Sequence, residues 1–298
     1  MYDGVIHIFV ASEISAQLGV AEFSTCFVQN CVITKNPEMI TQSKAAVFDP
    51  HSPQISNRPR DQLWILMLLE NPPNTINIST WNNLINYTAS YQLKSDIPAP
   101  YGLIKKRRLI TNLGSLVEAK TEGVLWIVSN CFTTNRREMI VRHLQRHIRI
   151  NMFGRCANGR ISRKQKLELM TSHRFYLAFE NNNCDEYVTE KFFEALRFGI
   201  VPVVYGARKE YYEQIAPSHS FIHLEDFERV EHLAAYLHYL TNNQTAYNEY
   251  FHWKHKYYVS ETKFFCRLCK LLQDPPANTY GDIEELWHQR SSCSSIPV

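Results

Sequence analysis

The chain has 298 residues, 45% of them hydrophobic and 20% charged. That balance is globular, excludes a disordered polypeptide and suggests about two domains. A net charge of +3 is too small to mark a nucleic-acid partner, though it suits an anionic small ligand, and no stretch approaches the about 20 apolar residues of a membrane span.

Residues 5–10 form a short apolar run without a basic flank, so they do not read as a signal peptide. Further along, apolar runs end abruptly in polar loop residues, as buried parallel strands do. Ala45–Phe48 stops at Asp49-Pro50, and residues 63–69 stop at Glu70-Asn71-Pro72-Pro73. Residues 98–122 are polar, basic and interrupted by proline and glycine, which places a domain boundary near their end and divides the chain into 1–120 and 121–298. Within that stretch, Lys105-Lys106-Arg107-Arg108 reads as a solvated linker face rather than a phosphate contact or a localisation signal. Strand-like runs then recur at 124–128, 175–179 and 200–205, with amphipathic helical patterns at 137–147 and 189–198 between them. This alternation predicts an α/β protein with parallel sheets, arranged as two Rossmann-like halves.

Eight cysteines are spread over the whole chain: Cys26, Cys31, Cys131, Cys156, Cys184, Cys266, Cys269 and Cys293. Three glycosylation sequons accompany them, at Asn77, Asn86 and Asn243. Together they favour an oxidising, glycosylating compartment, the secretory pathway. Cys266-Arg-Leu-Cys269 resembles half a zinc site or a redox pair, but no second ligand pair stands at zinc spacing, so disulfide partners are the better reading. A secretory protein without a visible means of entry implies an N-terminal anchor that this sequence does not contain.

No Gly-x-Gly-x-x-Gly loop and no P-loop occur, which excludes a dinucleotide-binding dehydrogenase and a P-loop phosphotransferase. The 189–198 helix is more informative. Gly199 suits the left-handed position that ends it, and Thr189, Glu190 and Lys191 fall in its first turn. The positive end of the helix dipole makes that turn an anion site. A lysine there opposes the dipole, and a bound diphosphate supplies the reason for it. Glu190 suits the hydroxyls of a ribose. The plainer alternative is an ordinary Glu-Lys pair on a solvated turn.

The segment around this helix carries a family resemblance. Phe175-Tyr-Leu-Ala-Phe-Glu-Asn181, Tyr187-Val-Thr-Glu-Lys191 and Val201-Pro-Val-Val-Tyr-Gly206 closely resemble the signature of the α1,3-fucosyltransferases, inverting enzymes that move fucose from GDP-fucose onto N-acetylglucosamine. Similar stretches follow the family order: Arg58-Pro-Arg-Asp-Gln-Leu-Trp64, Glu70-Asn-Pro-Pro73, Asn86-Tyr-Thr-Ala-Ser-Tyr91, Ser95-Asp-Ile-Pro98, Val128-Ser-Asn-Cys131 and Phe221-Ile-His-Leu-Glu-Asp-Phe227. They span roughly residues 40–272.

The resemblance implies a GT-B fold, with an acceptor-side domain over 1–120 and a GDP-fucose-binding domain over 121–298 that ends in the Cys-x-x-Cys segment. It implies transfer without an obligatory metal, and the sequence holds no Asp-x-Asp motif to chelate one. By resemblance Asn181 and Tyr187 contact guanine, Glu190 the ribose, and Lys191 the phosphates and fucose. The family's phosphate-binding arginine corresponds to Arg137, with Arg136 the alternative one position away. Glu70, at the carboxyl end of a buried run, matches the family's general base, which takes the proton of the attacking acceptor hydroxyl; capping of backbone N–H groups is its plainer role. The implied acceptor is an N-acetylglucosamine-containing glycan, and the implied location is the Golgi lumen behind a membrane anchor. Cys131 and Cys156 look like a family disulfide, and the Cys26/Cys31 and Cys266/Cys269 clusters join the chain's ends, leaving Cys184 and Cys293 unassigned. Two other readings keep the fold: a different nucleotide sugar, or an inactive glycan-binding relative.

Overall fold

The computed structural model describes residues 4–11, 23–53, 55–108, 120–157 and 159–294. The chain forms two compact units, residues 1–101 with 261–292 and residues 102–260 with 293–298.

The first unit is built on a six-stranded sheet of β1 (Ile6–Val10), β2 (Cys31–Thr34), β3 (Ala45–Phe48), β4 (Leu63–Leu68), β5 (Tyr87–Ser90) and β6 (Ile97–Pro98). The spatial order is β2-β1-β3-β4-β5-β6, and every neighbouring pair is parallel. Central strands covered on both faces must be apolar throughout, which is why Ala45–Phe48 is buried at every position and Leu63–Leu68 at all but the first. The run at residues 5–10 is β1, an inner strand of this sheet.

The second unit holds β8 (Glu122–Ile127), α1 (Arg137–Leu144), β9 (Ile150–Phe153), α2 (Arg163–Ser172), β10 (His173–Phe179), α3 (Glu190–Phe198), β11 (Val201–Tyr205), α4 (Lys209–Ile215), β12 (Ile222–His223), α5 (Val230–Asn242) and α6 (Gln244–Glu249). Its main sheet has five strands, all parallel, in the order β12-β11-β10-β8-β9. One side of this sheet packs Val124, Trp126, Phe175, Leu177 and Val203 against Ile140, Val141 and Leu144 of α1 and Leu233, Ala234 and Leu237 of α5. Both units therefore bear out the expected α/β class with two parallel Rossmann-like sheets.

The division between the units differs from the one the sequence suggests. β7 (Leu103–Lys106) already belongs to the second unit, pairing antiparallel with β13 (Tyr257–Ser260). Half of the basic run is thus strand: Lys105 pairs with Tyr258 and Lys106 with Tyr257, and the Arg107 guanidinium lies 5.5 Å from the Tyr258 ring. The expected boundary, between residues 120 and 121, falls inside the second unit, and residues 109–119 just before it lie outside the described residues.

The larger difference is at the end of the chain. Helix α7 (Phe264–Leu271), which carries the Cys-x-x-Cys segment, belongs with the first sheet, as does α8 (Ile283–Gln289). The cause is the apolar face Phe264, Phe265, Leu268, Cys269 and Leu272, which joins Ile8, Val47, Ile65 and Met67 in one core. Each such side chain contributes roughly 1.5–3 kcal/mol on burial. Disulfides Cys26–Cys266 and Cys31–Cys269 fix α7 there, as the expected joining of the chain's ends requires. Cys131–Cys156 is also formed, and Cys184 pairs with Cys293.

One sequon does not behave as the sequence suggests. Asn86 is buried, with its Oδ1 accepting from Trp64 N at 2.8 Å and from the Arg58 guanidinium, and its Nδ2 donating to Asn278 O at 2.8 Å. The nitrogen a glycan would occupy is committed to the fold. Asn77 is exposed, and its Oδ1 accepts from Ser79 N at 2.9 Å.

Candidate functional site

Doubly wound sheets bind ligands where the strand order reverses, at the carboxyl ends of the two strands flanking the reversal. In the second unit the chain runs from β8 outward to β9, then returns to β10 and proceeds the other way through β11 and β12. The switch point therefore lies between the ends of β8 and β10, and the sequence-predicted residues of this unit come from the segments that leave those ends.

Arg137 opens α1 and is 3% exposed. Its guanidinium donates to Phe179 O at the end of β10 and, at 3.2 Å, to Asn130 O beyond the end of β8. It thus ties the two flanking strand ends together, while its Nε is buried and has no hydrogen-bond partner. Burial pulls this guanidinium below its ordinary pKa, and the charge of Glu180 opposes that. Arg136 is exposed, with a left-handed φ of 52° at the helix cap. The adjacent arginines are separated by burial: Arg137 is built into the switch point and Arg136 faces solvent.

Glu180 follows β10 and is fully buried. Its Oε1 accepts from Thr189 N at 2.8 Å and Thr189 Oγ1 at 2.9 Å; its Oε2 accepts from Lys191 Nζ at 2.9 Å and again from Thr189 Oγ1 at 2.9 Å. Asn135 Nδ2 donates to the Glu180 carbonyl at 3.0 Å and to Asn183 Oδ1 at 2.8 Å. Desolvation raises the Glu180 carboxyl above its ordinary value, and Lys191 works against that rise. The tight fit also explains Gly206: a Cβ there would stand 2.8 Å from Cβ and Cγ of Glu180.

Helix α3 begins one residue later than the sequence predicts, with Thr189 as its cap, Glu190 and Lys191 in the first turn, and Gly199 closing it at φ 70°. Thr189 makes no side-chain cap to the helix's own amides, because its hydroxyl is turned to Glu180. Lys191 Nζ lies 2.9 Å from Glu180, 2.8 Å from Thr189 Oγ1 and 3.4 Å from Glu190 Oε1. Burial alone would lower the Lys191 ammonium, but Glu180 and Glu190 raise it well above the ordinary lysine value. A carboxylate inside the fold thus supplies part of the reason for a lysine at a dipole-opposed position. Glu190 is exposed; desolvation works against its charge, yet Lys191 and Lys166 bring its carboxyl below the ordinary value.

Asn181 and Tyr187 sit in the loop joining β10 to α3, half-buried and 2% exposed respectively. The loop is anchored by Cys184–Cys293, by Ser294 N donating to Asn183 O at 2.8 Å, and by Arg208 on Asp185 at 2.9 Å. Arg137, Asn181, Tyr187, Glu190 and Lys191 therefore belong to one framework, in which Glu180 and Asn135 are the members that sequence reading left without a role. The signal for Glu180 was present, since it is a carboxylate placed directly after the buried run Phe175–Phe179.

Glu70 belongs to the first unit. It is exposed after β4, and its Oε1 accepts from Asn71 N at 3.0 Å and Asn71 Nδ2 at 2.6 Å. Asn71 is fully buried, and Pro72 and Pro73 continue into a 3-10 turn, so the carboxylate is held on rigid backbone.

Two family models match the chain: "Glycosyltransferase family 10 (fucosyltransferase) C-term" over residues 117–287 and "Fucosyltransferase, N-terminal" over residues 5–102. Glycoprotein 3-alpha-L-fucosyltransferase A of Drosophila melanogaster is 34% identical over 287 residues, a match covering 91% of this chain and 57% of that protein. Alpha-(1,3)-fucosyltransferase 7 of Bos taurus is 33% identical, covering 88% of this chain and 79% of the relative. The chain thus spans little more than half of the Drosophila protein. A crystal structure of α1,3-fucosyltransferase with GDP-fucose superposes with a TM-score of 0.61 at 16% identity, over 93% of this chain and 92% of that one. At that identity the likeness is one of fold.

Proposed function

The chain belongs to the glycosyltransferase family 10 fucosyltransferases, and from that membership and the switch-point cluster we propose that it transfers L-fucose from GDP-fucose, with inversion, to the 3-hydroxyl of N-acetylglucosamine in glycoprotein glycans. The observation that carries the reading is the Glu180–Thr189–Lys191 network at the carboxyl end of β10. It fixes an ammonium at the positive end of a helix, next to a switch point tied by Arg137.

The diphosphate of the donor lies at this helix start, its charge met by Lys191 and by the arginine at the head of α1. Asn181 and Tyr187 hold the guanine, and Glu190 accepts from the ribose hydroxyls. As the bond from the anomeric carbon to GDP breaks, charge grows on the leaving phosphate, and fixed cations stabilise that charge without reorganisation. Glu70 takes the proton of the attacking hydroxyl. The transfer needs no obligatory metal, because these cations carry the neutralising role. Four disulfides among the described residues suit an oxidising lumen, and the proposed location is the Golgi. No helix among the described residues is long and apolar enough to cross a membrane.

Calorimetry with GDP, followed by incubation with GDP-fucose and defined N-glycans and linkage analysis of the product, tests this. The expected result is one GDP bound and an α1,3-linked fucose formed equally well with and without a chelator. Folded protein that takes up no GDP overturns the assignment.

A further inference from the structure

Away from the switch point, at the far end of α1, two histidines one helical turn apart meet a carboxylate from α5. His143 Nε2 lies 3.4 Å and His147 Nε2 lies 3.6 Å from the same Glu231 oxygen, Oε1. All three ligand atoms fall within 4.8 Å of one another. Nitrogen and oxygen ligands at zinc's usual bond lengths of about 2.0–2.1 Å sit roughly 3.3–3.4 Å apart on a tetrahedron. Both histidine–carboxylate spacings approach that edge, and the two imidazole nitrogens lie within 4.8 Å of each other.

We infer that His143, His147 and Glu231 form a binding site for a zinc-class divalent cation, joining the end of α1 to the start of α5. Two imidazoles and one carboxylate suit zinc, whereas magnesium and calcium prefer oxygen alone. The elements bearing the ligands are held by the core beneath them, where Ile140, Val141 and Leu144 pack with Leu233, Ala234 and Leu237. His238 Nε2 further fixes the turn carrying His147 through its carbonyl, at 3.1 Å. The backbone beneath the ligands is therefore fixed, and the ion has the exposed imidazoles, 48% and 36% accessible, left to order.

Arg229 shares the carboxylate, with Nε 3.4 Å from Oε2 and a terminal nitrogen 3.4 Å from Oε1. Its side chain is 67% exposed, so it can leave Oε1 to the metal and remain solvated. Hydrogen bonds from its own backbone N–H and from Arg229 hold the Glu231 carboxyl below the ordinary carboxylate range. Three protein ligands leave a fourth position for water. The ion's role is to stabilise the folded second unit by binding it and not the unfolded chain. It takes no part in the proposed transfer.

Metal-free, tag-free protein at about pH 7.5, above the ordinary histidine range, is titrated with Zn²⁺ against a chromophoric chelator and with Co²⁺ as a coloured substitute. The expected result is one equivalent of Zn²⁺, a tetrahedral Co²⁺ spectrum and a metal-dependent rise in Tm. His143→Ala, His147→Ala and Glu231→Gln should each weaken binding by more than the roughly 10–100-fold that loss of a supporting partner costs. His51→Ala, an exposed histidine of the first unit, should leave it unchanged. Circular dichroism without metal shows that the variants fold, and GDP titration of the same samples reads the nucleotide site separately. No Zn²⁺ uptake by the wild type, or one full equivalent retained by the His143→Ala/His147→Ala double variant, overturns the site.

Discussion

Glu180→Gln keeps the shape of the buried side chain and removes its charge. In the native arrangement both oxygens accept: Oε1 from Thr189 N at 2.8 Å, Oε2 from Lys191 Nζ at 2.9 Å. Glutamine has one acceptor oxygen, so its amide nitrogen must confront either the backbone N–H or the ammonium, donor against donor. Loss of a charged hydrogen bond costs about 1.5–3 kcal/mol. Leaving a buried partner's charge uncompensated costs about 3–5 kcal/mol. Lys191 is 20% exposed and keeps Glu190 at 3.4 Å, which places the expected loss at the lower end, about 2–3 kcal/mol. Urea unfolding of the wild type, Glu180→Gln, Lys191→Met and the double variant measures it. A coupling energy of about 1–3 kcal/mol is expected, since the two groups share one network. GDP affinity should fall in Glu180→Gln as well, because the ammonium loses the contact that aims it. Additive losses, with coupling below about 0.5 kcal/mol, would refute the view that Glu180 holds Lys191 in place.

Three further outcomes are expected. Glu70→Gln should abolish fucose transfer while calorimetric GDP binding stays at the wild-type value; turnover within about tenfold of wild type (1.4 kcal/mol,) removes Glu70 from the mechanism. His173 is buried with its ring nitrogens 2.8 Å from Leu169 O and 2.9 Å from Asn151 Nδ2, and burial lowers its pKa below the ordinary 6.5 against the opposing pull of the Leu169 carbonyl. The unfolded chain therefore takes up this proton first as pH falls below 6.5, so stability drops from there down to the folded-state pKa, at up to about 1.4 kcal/mol per pH unit; His173→Gln should flatten that part of the curve, and an unchanged slope refutes the assignment. Peptide mapping of material secreted from a glycosylating host should find glycan on exposed Asn77 and none on Asn86; an occupied Asn86 contradicts its buried hydrogen bonds.

How much of this was readable in the sequence depended on how completely a segment is buried. Strands covered on both faces declared themselves as apolar runs, as at β3, β4, β10 and β11. β5, Tyr87-Thr-Ala-Ser90, is equally buried but carries three hydroxyls, that of Thr88 held by Asp96 at 2.8 Å, and no periodicity betrays it. α2 buries only Met170, so its apolar stripe is too thin to read, although its Ser162–Gln165 capping box was present in the letters. The anion-site helix was legible because Thr189, Lys191 and Gly199 each have a positional chemistry. Glu180 was quoted but given no role, since only the folded loop brings Thr189 and Lys191 back onto it. The Cys-x-x-Cys segment of α7 was placed with residues 121–298, because nothing in its own letters reveals which sheet it covers; that choice is made by long-range packing and two disulfides.

The return of α7 to the first sheet also sets a timetable. Cys26 and Cys266 are separated by 240 positions, and Cys31 and Cys269 by 238. At ribosomal speeds of about 5–20 residues per second, each early thiol waits about 12–48 s for its proper partner to be made. Cys131, Cys156 and Cys184 emerge in that interval, so wrong pairings are available before the right ones exist. Residues 102–260 meanwhile contain almost the whole second unit and can close as soon as they are released. The half translated first thus waits for a segment made after almost all of the second unit, which makes its maturation dependent on thiol exchange and on an intact carboxyl-terminal segment far more than its own strands would suggest.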